Sequence, residues 1–172
     1  NYFINQFKTI TTTRSISDQI INNKNFSSCL NKSITSNFTD DDINNFKSDL
    51  VISSATLEHV GNYSNQKKMI NNILNFSKKF FFITTPNRFF PIDFHTKIPF
   101  MHMLPKKIHR SFLNFIGLKE YSKEENLNLL SESDIKKIIN ELKINNFIIK
   151  IFKIRLFGLT SNLIIFGVNK NL

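Results

Sequence analysis

Acids, histidines and one arginine gather at two points where apolar segments of the sequence end. Glu58 and His59 follow the apolar run at 49–54. The second point is the stretch ITTPNRFFPIDFHTKIPFMHMLP at 83–105, whose polar residues include Arg88, Asp93, His95 and His102. Histidine exchanges a proton near neutral pH, and the arginine fork binds carboxylate or phosphate. This combination suits a site that holds a polar substrate and moves a proton.

We take His59 and His95 as catalytic candidates, and Arg88, Asp93 and His102 as substrate-binding candidates. Each has a structural alternative. His59 either acts as a base or hydrogen-bonds to backbone in its loop, and Arg88 either binds substrate or pairs with Asp93 to hold the loop shape. His95 and His102 either orient or deprotonate the substrate or lie buried on backbone groups.

The spacing of His95, His102 and His109 raises the question of a metal site. Residues seven apart lie near one face of a helix, but Pro99 and Pro105 prevent a continuous helix here. We therefore expect no metal on these three histidines.

Strands and helices that position these residues are predicted from apolar runs and helical spacing. The expected strands lie at 7–13, 34–38, 49–54, 80–85, 147–156 and 161–168. The expected helices lie at 65–78, near 108–116 and from Ser131 onward, and Asp40 to Asp42 is read as a turn. The order predicts one α/β domain over residues 1–172 with a mostly parallel sheet and an antiparallel closing pair, since a short turn joins its last two strands.

The carboxyl ends of the strands are the expected place for a ligand. The segments at 15–18, 53–61 and 84–88 follow strands and meet at one edge of the predicted sheet. The irregular segment 86–130, rich in proline and aromatic residues, would then overhang that edge. We expect it to be a lid that excludes water and grips a substrate.

The composition restricts the partners and the compartment. The net charge of +10 raises the question of nucleic acid or an anionic membrane, but lysine and arginine are spread along the chain, so we expect no nucleic-acid partner. Cys29 is the only cysteine, which excludes an internal disulfide and fits a reducing cytoplasm. No apolar stretch is long enough to span a bilayer.

The segment DLVISSATLEHVG at 49–61 is similar to the fourth-strand motif of class I S-adenosylmethionine-dependent methyltransferases. The block ITTPNR at 83–88, with the prolines and histidines after it, resembles a type 11-like subset of that superfamily. The resemblance covers about residues 46–172. It implies a Rossmann-like sheet whose last strand is antiparallel, with S-adenosyl-L-methionine as cofactor.

The resemblance also implies cofactor contacts. Asp18 is the candidate for bonds to both ribose hydroxyls, with Ser15 or Ser17 as alternatives. Asp40 is the candidate for the adenine amino group, or else a turn or helix-capping residue. The backbone of two small residues is implied to pass beside the cofactor: Ser54 and Ala55.

A first strand and a glycine-rich loop are implied to precede residue 7, and residues 1–6 contain no such motif. We therefore expect an N-terminally truncated methyltransferase domain that acts on a small-molecule or lipid- or glycan-linked acceptor. The alternative is a non-catalytic binding domain with a degenerate methyltransferase fold.

Overall fold

The strands of the computed structural model form two sheets. The structure describes residues 12–18 and 26–172. Of the strand predicted at 7–13, residues 7–11 lie outside the described residues. Thr12 and Thr13 are described and are not in a strand. The first sheet pairs β1 (Arg14–Ser17) with β2 (Ser28–Asn31) in parallel. The second contains β3 (Ser48–Ser54), β4 (Ser77–Pro86), β5 (Phe147–Leu156) and β6 (Leu159–Asn169).

The second sheet has the order β3-β4-β6-β5. Strands β3 and β4 are parallel, with Ser54 opposite Thr84, whereas β6 is antiparallel to both β4 and β5. The antiparallel closing pair and the four strands of this sheet are thus confirmed. Because β3 and β4 run the same way, the segments that leave their carboxyl ends emerge side by side.

Five α-helices lie in the described part of the chain: α1 (Asp40–Phe46), α2 (Tyr63–Phe76), α3 (Lys106–Phe115), α4 (Lys119–Ser122) and α5 (Glu132–Leu142). Helix α5 begins at the predicted N-cap, where the Ser131 hydroxyl accepts from the backbone of Asp134 and the Asp134 carboxylate accepts from the backbone of Ser131. None of these five helices is long and apolar enough to cross a bilayer.

Two predictions near residue 40 are wrong. The strand expected at 34–38 is a turn and an irregular segment. The turn expected at Asp40–Asp42 is the first turn of α1, because Thr39 and Asp42 form a reciprocal capping box with bonds of 3.0 and 3.1 Å. Three aspartates at the positive end of the helix dipole stabilise this start further.

The hydrophobic core lies between the second sheet and helices α2 and α5. Alternate residues of β4 and β6 point inward, and both helices bury one apolar face against them. The buried cluster contains Leu57, Met69, Ile70, Ile73, Phe81, Ile83, Leu130, Ile135, Ile138, Phe147, Leu163 and Ile165. Because Leu57 belongs to this cluster, the loop after β3 is anchored to the core.

A groove of about 330 Å³ separates β1 from β3. The two strands are not hydrogen-bonded to each other, and Leu50 and Ile52 of β3 are 42% and 48% exposed along the groove. No strand of the described residues lies in it.

Gly167 of β6 lies against the ring of Phe81, and a Cβ atom at this position would overlap that ring. We predict that Gly167→Ala lowers the free energy of unfolding by about 1–3 kcal/mol, because a packed core resists added volume. Urea denaturation measures this loss. In a Phe81→Leu background the same change should cost clearly less, and an equal cost in both backgrounds would contradict the assigned contact.

Candidate active site

The loop after β3 and the segment after β4 meet at one edge of the sheet. A short 3-10 turn, Leu57–His59, follows β3 and buries Leu57 and Glu58. The hydroxyl of Thr85, near the end of β4, donates a hydrogen bond of 2.9 Å to Glu58 Oε2. This bond joins the two neighbouring strand ends through a carboxylate that is fully shielded from solvent.

The two histidines predicted to be catalytic lie together. Their Nε2 atoms are 3.0 Å apart. His59 Nδ1 lies 2.6 Å from the carbonyl oxygen of Asn126, and His95 Nδ1 lies 3.0 Å from Asp93 Oδ1. Carbonyl and carboxylate oxygens only accept, so each Nδ1 carries the hydrogen. In the neutral rings, both Nε2 atoms therefore present lone pairs to each other.

Glu58 completes this cluster. Its Oε1 atom has no hydrogen-bond partner among the described residues and lies 3.8 Å from His59 Nε2. One oxygen atom of Glu58 and one ring nitrogen each of His59 and His95 all lie within 4.8 Å of one another. Three acceptor atoms thus converge on one small volume.

Asp93 holds the segment that carries His95. Its carboxylate accepts bonds from the backbone N–H groups of His95 and Thr96, from the Thr96 hydroxyl and from the His95 ring. Burial alone would raise the pKa of Asp93, but these donors outweigh it and keep the pKa well below its usual range. The hydrogen bond to Asp93 in turn raises the pKa of His95, against the opposing effect of burial.

Arg88 does not pair with Asp93, which corrects that alternative. It donates to the carbonyl oxygens of His102 and Leu104 at 3.2 and 2.7 Å. His102 is 2% exposed, and its Nε2 lies 2.6 Å from the carbonyl oxygen of Phe90. Both side chains therefore hold the fold of the 86–130 segment, His102 as its structural alternative stated and Arg88 through partners that the sequence did not predict.

Asn128 is a positioning residue that the sequence reading missed. Its backbone N–H donates to the Glu58 carbonyl at 2.7 Å, and its side-chain amide donates to the Gly61 carbonyl at 2.8 Å. Lys106 and Gln66 donate to its two oxygen atoms. The end of the segment 86–130 is thereby fixed to the loop after β3, on which His59 lies.

A cleft of about 660 Å³ opens beside His59, at the carboxyl ends of β1, β2 and β3. Asp18 lies in its wall, whereas Asp40 is not among the lining residues. The lining is Ser15 to Asp18, Ser33 to Thr35, Thr56, His59 to Asn62, Asn65, Glu124 and Glu125. Its hydroxyl, amide and carboxylate groups suit a ligand rich in hydroxyl and amino groups.

Ser54 and Ala55 lie at the end of β3. The Ser54 hydroxyl is 3.0 Å from that of Thr84, and the Ala55 backbone N–H donates to the Thr84 carbonyl at 3.0 Å. Ala55 has a φ of 50°, in the left-handed region that side chains rarely adopt. The chain therefore turns sharply at this point, from the strand toward the cleft.

Similar solved structures are methyltransferases. The small RNA methyltransferase HEN1 is 10% identical, with a TM-score of 0.55, and the match covers 98% of this chain and 24% of that chain. Human N-acetylserotonin methyltransferase in complex with SAM is 8% identical, with a TM-score of 0.49, covering 92% and 40%. Magnesium protoporphyrin IX methyltransferase from Synechocystis PCC 6803 with bound SAM is 14% identical, with a TM-score of 0.44, covering 85% and 47%.

The comparison with HEN1 shows the fold. No protein-family model and no curated protein matches the sequence. Of the three structures above, HEN1 alone exceeds a TM-score of 0.5, and at 10% identity it says nothing of the substrate. The chain spans less than half of each of these three proteins. Its fold is the Rossmann-like fold of class I S-adenosylmethionine-dependent methyltransferases, as the sequence resemblance implies.

We predict that Asp93→Ala lowers the free energy of unfolding by about 3 kcal/mol, because bonds to a buried charged acceptor are lost together. Hydrogen exchange at the amides of His95 and Thr96 should also become faster. Asp49→Ala is the matched control, since exposed Asp49 forms an ion pair of 3.0 Å with exposed Lys79 and such pairs contribute about 0–1 kcal/mol. Similar losses in both variants would contradict the role given to Asp93.

His109 supplies a prediction on pH. Burial lowers its pKa, the nearby His102, Arg88 and Arg110 act in the same direction, and Asp93 opposes them. The unfolded chain therefore binds this proton more readily, so stability should fall as pH drops below the ordinary histidine pKa of about 6.5. Urea denaturation at about pH 7.5 and about pH 5.5 brackets that value. His109→Gln should reduce the difference, and a variant that keeps it all would refute the assignment.

Proposed function

We propose that this chain catalyses methyl transfer from S-adenosyl-L-methionine to a small-molecule or lipid- or glycan-linked acceptor. The observation that carries the proposal is the position of His59. It lines the 660 Å³ cleft and also contacts His95, so one side chain joins a cofactor-sized space to a proton-handling cluster. Ligand sites commonly measure about 300–1,000 Å³.

The lining of the cleft fits the cofactor. Asp18 offers two acceptor oxygens for the ribose hydroxyls, and the hydroxyls of Ser15 and Ser17 lie on the same wall. Asp40 keeps its proposed contact with the adenine amino group, although it lies at the start of α1 and outside the lining. When bound, S-adenosyl-L-methionine supplies an electrophilic methyl group.

The acceptor would lie between the cleft and the segment 86–130. His59 lines the cleft and its Nε2 lies 3.0 Å from that of His95, which suits taking up a proton from an acceptor and sharing it between the two rings. Arg88, Asp93 and His102 act on the acceptor indirectly, by holding the lid that shapes its site. A reducing cytoplasm stays the proposed location, because one cysteine can form no internal disulfide.

Calorimetric titration of S-adenosylhomocysteine tests the cofactor part of the proposal. We would titrate this chain and a form extended upstream along its gene. We expect binding by the extended form, in the range of roughly 1 μM to 1 mM that is common for enzyme ligands. Asp18→Asn and Asp40→Asn should weaken it about tenfold, because each removes a charged hydrogen-bond acceptor.

Asp41→Asn is the matched control, since Asp41 is an exposed neighbour of Asp40 to which no cofactor contact is assigned. It should leave the affinity unchanged. Binding by neither form would contradict the proposal and favour the non-catalytic binding domain. Binding that neither Asp18→Asn nor Asp40→Asn weakens would contradict the assigned contacts while leaving the cofactor in place.

A further inference from the structure

We propose that Glu58, His59 and His95 bind a divalent transition-metal ion of the class Mn²⁺, Fe²⁺, Co²⁺ or Zn²⁺. The sequence reading rejected a metal on His95, His102 and His109. The fold brings a different set together, because it places His59 against His95 and keeps Glu58 beneath them. The proposal rests on these contacts and does not depend on the proposed methyl transfer.

The tautomers of the two histidines leave both Nε2 atoms able to bind an ion. Both Nδ1–H groups are committed, one to the Asn126 carbonyl and one to Asp93. Two lone pairs therefore face each other across 3.0 Å, which repels unless something electropositive lies between them. A separation of about 3.0–3.4 Å is also what two nitrogen ligands adopt around one ion, given bonds of roughly 2.0–2.1 Å.

Glu58 offers a third ligand atom, Oε1. Its side chain is 0% exposed, and Oε1 lacks any hydrogen-bond partner among the described residues. A buried carboxylate without a counter-charge is costly. Within the described residues, no lysine or arginine forms an ion pair with it. A divalent ion beside Oε1 would supply the missing charge, after the carboxylate moves toward His59 from its present 3.8 Å.

The outer contacts have the pattern of a metal site. Metal-binding histidines usually donate their second N–H group to a carboxylate or a backbone carbonyl, and metal-binding carboxylates are themselves hydrogen-bonded. His95 donates to Asp93, His59 donates to Asn126, and Glu58 accepts from Thr85. All three proposed ligands are therefore oriented by the groups behind them.

The ligand set narrows the kind of ion. Two imidazoles with one carboxylate suit first-row transition metals better than Mg²⁺ or Ca²⁺, which prefer oxygen. The His59 side chain is 37% exposed and lines the cleft, so further coordination positions face solvent. They are open to an oxygen or nitrogen atom of an acceptor. An ion held there would use the same lone pairs that a histidine base would need.

Titration with Co²⁺ alone tests the proposal, with no methyl donor or acceptor present. We would follow the visible absorption of bound Co²⁺ and the thermal unfolding of the protein, at a pH where histidine is neutral. The wild-type chain should bind one ion and unfold at a higher temperature as Co²⁺ increases. Glu58→Gln and His95→Gln should each weaken binding at least about 100-fold, and Asp93→Asn about 10–100-fold.

His109→Gln is the control, because it removes a histidine that lies outside the cluster and should leave Co²⁺ binding unchanged. With chelator present, Glu58→Gln should unfold at a higher temperature than wild type, since it removes an uncompensated buried charge. Saturating Co²⁺ should reverse that order. The metal site would be overturned if the wild-type chain did not bind Co²⁺, or if Glu58→Gln and His95→Gln bound it as tightly as wild type. The cluster would then be explained by a proton shared between His59 and His95.

Discussion

The parallel pairing of β3 with β4 is the constraint on which the candidate site depends. Its register sets Ser54 beside Thr84, so the chain leaves both strands at the same edge and at the same height. Thr85 then reaches Glu58, and His95 reaches His59 across 36 positions of sequence. A shift of one residue would turn every side chain of one strand to the opposite face and separate these pairs.

The sequence predicts the elements that have a local signal and misses those that depend on distant partners. The apolar runs of β3 to β6 and the serine cap of α5 could be read directly. Thr39 and Asp42 also form a local signal, a capping box, which a reading of consecutive aspartates as a turn overlooked. Asn128 had no such signal, because its contact with Gly61 spans 67 positions. The proposed metal-binding cluster was not predicted for the same reason, since His59 and His95 are brought together by tertiary structure.

The segment 86–130 keeps a strained shape near His95 through hydrogen bonds rather than through glycine. Lys97 and Phe100 have φ values of 58° and 62°, a conformation that is unfavourable for residues with a side chain. Their backbone N–H groups donate to the carbonyls of Asp93 and Pro91, each at 2.7 Å. The same segment contains the Asp93 carboxylate with its four donors. Strain and its compensation thus lie within a few residues of His95, whose position they define.

The segment 86–130 is also closed at its base. Asn87 forms a bridge with Leu130, and the Arg88 N–H donates to the Leu130 carbonyl at 2.9 Å, so the segment leaves and rejoins the domain at one place. Loop-closure entropy grows only slowly with length. A change in the length of the segment between these two ends therefore alters the closure entropy only slightly. Such a segment gives a lineage room to alter its length while the scaffold stays the same.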